Sequence, residues 1–220
     1  MNPETLRTLV IAIPGVLIAI TYHEIAHGWM ADRLGDPTAR MLGRLSLNPL
    51  KHIDPFGTVI LPLILFMAGG FMFGYAKPVP VTSENLRHRR RDLALIAAAG
   101  PLTNVLIAVV AAVLFRALVP FADDSPLGKV VVLPLALLLR FLVIVDVVLA
   151  IFNLIPVPPL DGGRILMGLL PRRAAARVSS IEPIGVFLVM GLMLLNPLGI
   201  WSRGFGRLFG AAVGLLLGSG

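Results

Sequence analysis

The stretch LVIAIPGVLIAITYHEIAHGWMA, from Leu9 to Ala31, is apolar over a bilayer-crossing length, yet carries His23, Glu24 and His27 in its C-terminal half. About 20 predominantly apolar residues in a helix cover the ~30 Å hydrocarbon core of a membrane. An ionisable side chain at that depth costs roughly 2 to 3 kcal/mol or more unless it is paired. Three such residues so close together therefore imply a shared partner. In H-E-x-x-H the two His stand at i and i+4 on one helix face, so both imidazoles reach one metal ion while the Glu lies beside its open position.

The rest of the chain agrees with a membrane setting. Apolar residues make up 57% of the 220 and charged residues only 14%, with a mean hydropathy of +0.89, which points to a polytopic integral membrane protein. Spanning helices are expected at about 7–31, 93–119, 129–155 and 183–202, while two shorter apolar stretches, 57–75 and 205–218, are ambiguous. The expected fold is an all-α polytopic bundle, one domain over 1–220, with re-entrant or short β elements around an intramembrane zinc site. The first segment carries too many polar groups for a cleaved signal peptide and lacks a small-residue cleavage site, so it is expected to remain.

The net charge of +7 does not indicate nucleic acid, because the Arg residues cluster in loops between apolar spans, where positive-inside topology and anionic lipid headgroups explain them. Arg87, Arg89, Arg90 and Arg91 precede one span and Arg172, Arg173 and Arg177 follow another, whereas the intervening turn holds Asp123 and Asp124. The two Arg-rich loops are expected in the cytoplasm and the Asp turn outside. The segment with Arg40 and Arg44 is basic as well, which favours a re-entrant 57–75 that keeps both flanking loops on one side and places the metal near the cytoplasm. Thr38–Ser46 and Gly74–Val81 alternate partially; they are either short strands that accept an extended substrate at an edge or ordinary loops.

With no Cys, a metal site must draw on His, Asp and Glu. The third long span ends in NLIPVPPLDGG, from Asn153 to Gly163, where prolines break the helix and leave polar backbone that is tolerable only inside protein or beside water. Asp161 in that segment is the natural third ligand. One zinc ion, two neutral His, Asp161 and Glu24 then sum to zero formal charge, which makes each group affordable in lipid. Arg140 and Asp146, inside the third span, lie six residues apart on different helix faces; a structural role is expected for them. Gly100 is expected to let its helix approach the metal helix closely.

HEIAH, then Gly100-Pro101-Leu102-Thr103-Asn104, then NLIPVPPLDGG, in that order, resemble the site-2 protease family of intramembrane zinc metalloproteases, in its compact prokaryotic form without PDZ or CBS domain. The resemblance implies zinc held by His23, His27 and Asp161, with Glu24 as catalytic acid and base. It also implies that Asn153 holds the substrate strand and that Asn104 lines the active site. His52, in a loop similar to one in compact members, either orients substrate or a ligand or is an ordinary histidine satisfied by backbone. The activity implied is hydrolysis of peptide bonds within or near transmembrane segments of membrane-protein substrates, in a bacterial or archaeal cell membrane. The alternative is a non-hydrolytic metal transporter or sensor. It would need polar residues along a route through several helices, whereas here they gather near one end, and it would have no use for Glu24.

Overall fold

A computed structural model describes residues 2–54, 57, 60, 77–195, 199 and 201–218. Among these the chain is helical with no strand. Helix α1 runs Pro3–Arg33 and is followed by a short α2, Thr38–Met41; α3 is Arg89–Leu118, α4 Leu133–Asn153, α5 Asp161–Leu169, α6 Arg172–Ser179, α7 Glu182–Leu195 and α8 Gly206–Leu217. Three stretches, Leu6–Arg33, Arg89–Phe121 and Gly128–Asn153, are long and apolar enough to cross a membrane. They match three of the four expected spans.

The fourth, 183–202, runs in part outside the described residues; its described part is α7, 14 residues or about 21 Å at 1.5 Å per residue. It continues from α6 through a 64° bend. Hydropathy alone does not register that bend. The stretch at 205–218 forms α8, whose Phe209, Ala212, Val213 and Leu216 pack against the core between α3 and α4. That core sets Ala108, Ala111 and Ala112 of α3 against Leu139, Leu142, Val143 and Val147 of α4; a face of alanines lets the two backbones approach closely.

α1 and α3 run antiparallel, joined at one end by Ala31, Leu86 and Ile96. The expected re-entrant segment 57–75 lies almost wholly outside the described residues, but its flanks meet. The Lys77 amide donates to the His52 carbonyl at 2.9 Å, Arg44 donates to the Lys77 carbonyl at 2.9 Å, and Asp36 accepts from the Thr82 amide at 2.7 Å. Both basic loops therefore sit at the same end of the bundle.

Of the two readings left open for Thr38–Ser46 and Gly74–Val81, no strand forms among the described residues. Thr38–Met41 is a helical turn, started where Asp36 accepts from the Thr38 amide at 3.2 Å. Lys77–Val81 is irregular, and its backbone has few donors to offer: Pro78 and Pro80 have no N–H, the Lys77 amide serves His52, and the Val79 amide serves Glu24.

Candidate metal centre

His23 and His27 stand one turn apart on α1, facing α3 at Gly100. A Cβ on Gly100 would lie 2.5 Å from His27 Nε2 and 2.6 Å from His23 Cε1, so only glycine allows the two imidazoles into this space. The close approach expected at Gly100 is what the structure has.

Each ring is held through Nδ1. His27 Nδ1 donates to the Ile96 carbonyl at 2.7 Å, and His23 Nδ1 donates to the Asn104 side-chain oxygen. A neutral imidazole with its proton on Nδ1 carries a lone pair on Nε2, and a partner on the far nitrogen is the usual means of orienting a metal ligand.

Asp161 comes from the first turn of α5. The break at Leu154–Leu160 places it there. A Cβ on Gly162 would meet the Leu154 carbonyl at 2.3 Å, and one on Gly163 would meet the Pro158 nitrogen at 2.3 Å, so the two glycines let α5 begin directly against the proline turn. α5 is secured at its other end by Arg90, which donates to the carbonyls of Met167, at 3.1 Å, and Leu170. A carboxylate in the first turn also agrees in sign with the helix dipole.

The three donors converge. Asp161 Oδ2 lies 3.2 Å from His23 Nε2 and 3.4 Å from His27 Nε2, and the two Nε2 atoms lie 3.0 Å apart. One ligand atom from each residue falls within 4.8 Å of the others, among residues that are mostly buried. Two imidazole lone pairs facing one another repel, and Asp161 Oδ2 is buried without a hydrogen-bond partner among the described residues. Both features call for a cation between them. Two imidazoles and one carboxylate with a position left open suit zinc.

Glu24, half-buried on the adjacent face of α1, accepts from the Val79 amide at 3.0 Å. Gly28, one turn further on, permits this contact: a Cβ there would meet Val79 Cγ1 at 2.9 Å. Asn104 is fully buried behind His23, and its amide nitrogen donates to Asp146 Oδ1 at 2.6 Å. Asn153, half-buried at the end of α4, turns its amide back to the Leu149 carbonyl at 3.0 Å. His52 is buried in the loop, with Nε2 donating to the Ser46 carbonyl at 2.8 Å, and is not in the metal cluster.

Asp146, the Ile96 carbonyl and the Val79 amide are contacts that sequence reasoning did not bring to the site. An acid deep in a span was the available signal for Asp146, and its buried position opposite an exposed Arg140 agrees with their expected separation onto different faces. Its partner could be found only from the packing of α3 on α4.

The model of peptidase family M50 matches residues 11–122 and 117–195. The chain belongs to peptidase family M50. A protein of Bacillus subtilis named "Putative zinc metalloprotease YwhC" is 35% identical over 184 residues, covering 84% of this chain and 80% of that one. "Putative zinc metalloprotease Rip2" of Mycolicibacterium smegmatis is 29% identical over 204 residues, or 90% and 74% of the two chains. No solved structure matches significantly. Membership of M50 makes this a zinc metalloprotease of the site-2 type with zinc as its cofactor, and removes the transporter alternative.

Proposed function

We propose that this M50 peptidase is a single membrane-embedded domain that cleaves peptide bonds within or near transmembrane segments of membrane-protein substrates, in a bacterial or archaeal cell membrane. In this reading His23, His27 and Asp161 hold one zinc ion and Glu24 is the general base and acid. The observation that carries it is the convergence of two Nε2 lone pairs and an Asp161 oxygen with no hydrogen-bond partner among the described residues, at the end of helices long enough to cross a bilayer.

When bound, zinc supplies Lewis acidity toward water and the scissile carbonyl. The chain's own residues do the rest. Glu24, aimed by the Val79 amide, takes a proton from the attacking water and returns it to the leaving amine. Asn153, at the mouth where α4 ends, exchanges its Leu149 carbonyl for the backbone of an extended substrate. Asn104 enters as the partner of His23 rather than as a substrate contact, since it is fully buried. His52 is the ordinary loop histidine of the two readings left open, tied to the Ser46 carbonyl.

A helix hides its peptide bonds, so the substrate must unwind to be cut. Gly or Pro near the scissile bond lowers that cost by about 1 and about 3 kcal/mol in aqueous helices. Purified protein with measured zinc content, given matched model transmembrane substrates, is expected to cut the Gly- and Pro-containing ones faster than Leu-rich controls. Absence of cleavage from every membrane-inserted substrate by zinc-loaded protein would end the intramembrane reading.

A further inference from the structure

Asp146 lies within α4, fully buried, and no step above uses it. Its neighbours Val145, Val147 and Val148 show what the helix otherwise places there. A buried carboxyl in such company is costly unless it serves a partner, and one of its oxygens, Oδ2, has no hydrogen-bond partner among the described residues. The other, Oδ1, accepts from Asn104 Nδ2 at 2.6 Å, while Asn104 Oδ1 accepts from His23 Nδ1. Three helices are thus linked in a line, α4 to α3 to α1, ending on a proposed zinc ligand.

A carboxamide has one donating end and one accepting end. We propose that Asp146 is a positioning residue for the zinc site: by accepting from the Asn104 nitrogen it sets which end of that amide meets His23. With the amide oxygen toward His23, the ring carries its proton on Nδ1 and presents the Nε2 lone pair toward His27 and Asp161. With the amide reversed, its N–H would face Nδ1, the ring proton would move to Nε2, and His23 could not ligate. Asp146 thereby selects the ligating tautomer from two residues away. The inference rests on His23 being a zinc ligand.

The test is zinc affinity by chelator competition on the purified full chain, with folding checked by thermal unfolding. Asp146→Leu removes the acceptor and is expected to weaken zinc binding about 10- to 100-fold, the usual range for loss of an outer partner. Asp146→Asn retains an acceptor oxygen and is expected to leave affinity nearly unchanged. The double variant Asp146→Leu/Asn104→Leu should bind no more weakly than Asn104→Leu alone, because the two act in series. Nitrogen NMR of the metal-free wild type, which needs no variant to fold, should show the His23 proton on Nδ1. A proton on Nε2, or additive losses in the double variant, overturns the proposal. Undiminished zinc in His23→Ala would overturn the ligand assignment and the proposal together. Unchanged affinity in Asp146→Leu, beside a His23→Ala variant that has lost zinc, overturns the positioning role alone.

Discussion

Glu24 and Gly100 separate chemistry from construction at the level of single residues. Glu24 touches Val79 through an acceptor oxygen, and glutamine offers one too, so Glu24→Gln keeps the loop contact and removes only the base. Cleavage is expected to fall by about 10² to 10⁴, the contribution typical of a positioned acid-base group, while zinc stays near stoichiometric; substantial cleavage by the variant would remove Glu24 from the mechanism. Gly100→Ala acts the other way. Its Cβ would stand 2.5 Å from His27, whose ring is tied to Ile96 and cannot simply swing aside, so overpacking of about 1 to 3 kcal/mol and weaker zinc binding are expected. Gly191→Ala, with nothing within 4 Å among the described residues, is the control and should be neutral or stabilising. Equal zinc affinity in the two variants would show that the α1–α3 approach does not shape the site. HEIAH, Asp161 and Gly100 were legible because each breaks the apolar pattern around it. Of the two acceptors that orient the rings, Asn104 was legible as an active-site residue, whereas the Ile96 carbonyl was not, since a backbone carbonyl carries no mark in a sequence.

Among elements, the long helices followed from hydropathy and the proline break after Asn153 from composition, whereas the loop beside Glu24 did not. Alternation in Thr38–Ser46 suggested a strand, but Asp36 collects the Thr38 amide and hydroxyl, the Thr82 amide and the Asn85 side chain, and these local bonds favour a turn. Asp36 thereby clamps the loop after α1 to the one before α3. Burial would raise its carboxyl, yet the hydrogen bonds from Thr38, Asn85 and Thr82 outweigh this and hold it below the ordinary value. A lowered folded value means the clamp contributes in full above the unfolded carboxylate value near 4 and is lost as pH falls through the folded one. Asp36→Asn sets an amide nitrogen against donors and is expected to cost about 1 to 3 kcal/mol at neutral pH. The stability gap between variant and wild type should then close below about pH 4. A gap that persists unchanged through acid would mean that the Asp36 charge is not what holds the loops together.

For the whole molecule, the arrangement of basic loops makes a prediction about sidedness. Lys77 meets His52 and Thr82 meets Asp36, so the chain leaves and re-enters the described fold at one end of the bundle, the end that also holds the metal centre. Arg44 and Arg87 lie in those loops, Arg40 in α2, and Arg89, Arg90 and Arg91 at the start of α3, while Arg172, Arg173 and Arg177 lie in α6, beyond α5. The opposite end carries Asp123 and Asp124 between α3 and α4. A membrane sorts such an asymmetry by placing Lys and Arg in the cytoplasm. Because the chain has no Cys, single Ser46→Cys, Ser83→Cys and Ser125→Cys variants can each be labelled from one side with a membrane-impermeant thiol reagent. Positions 46 and 83 are expected to react from the cytoplasmic side and position 125 from the outside. Labelling of 46 and 83 from opposite faces would contradict the contacts between their loops. Labelling of both from outside would keep the fold but invert it, moving the metal centre toward the other face of the membrane.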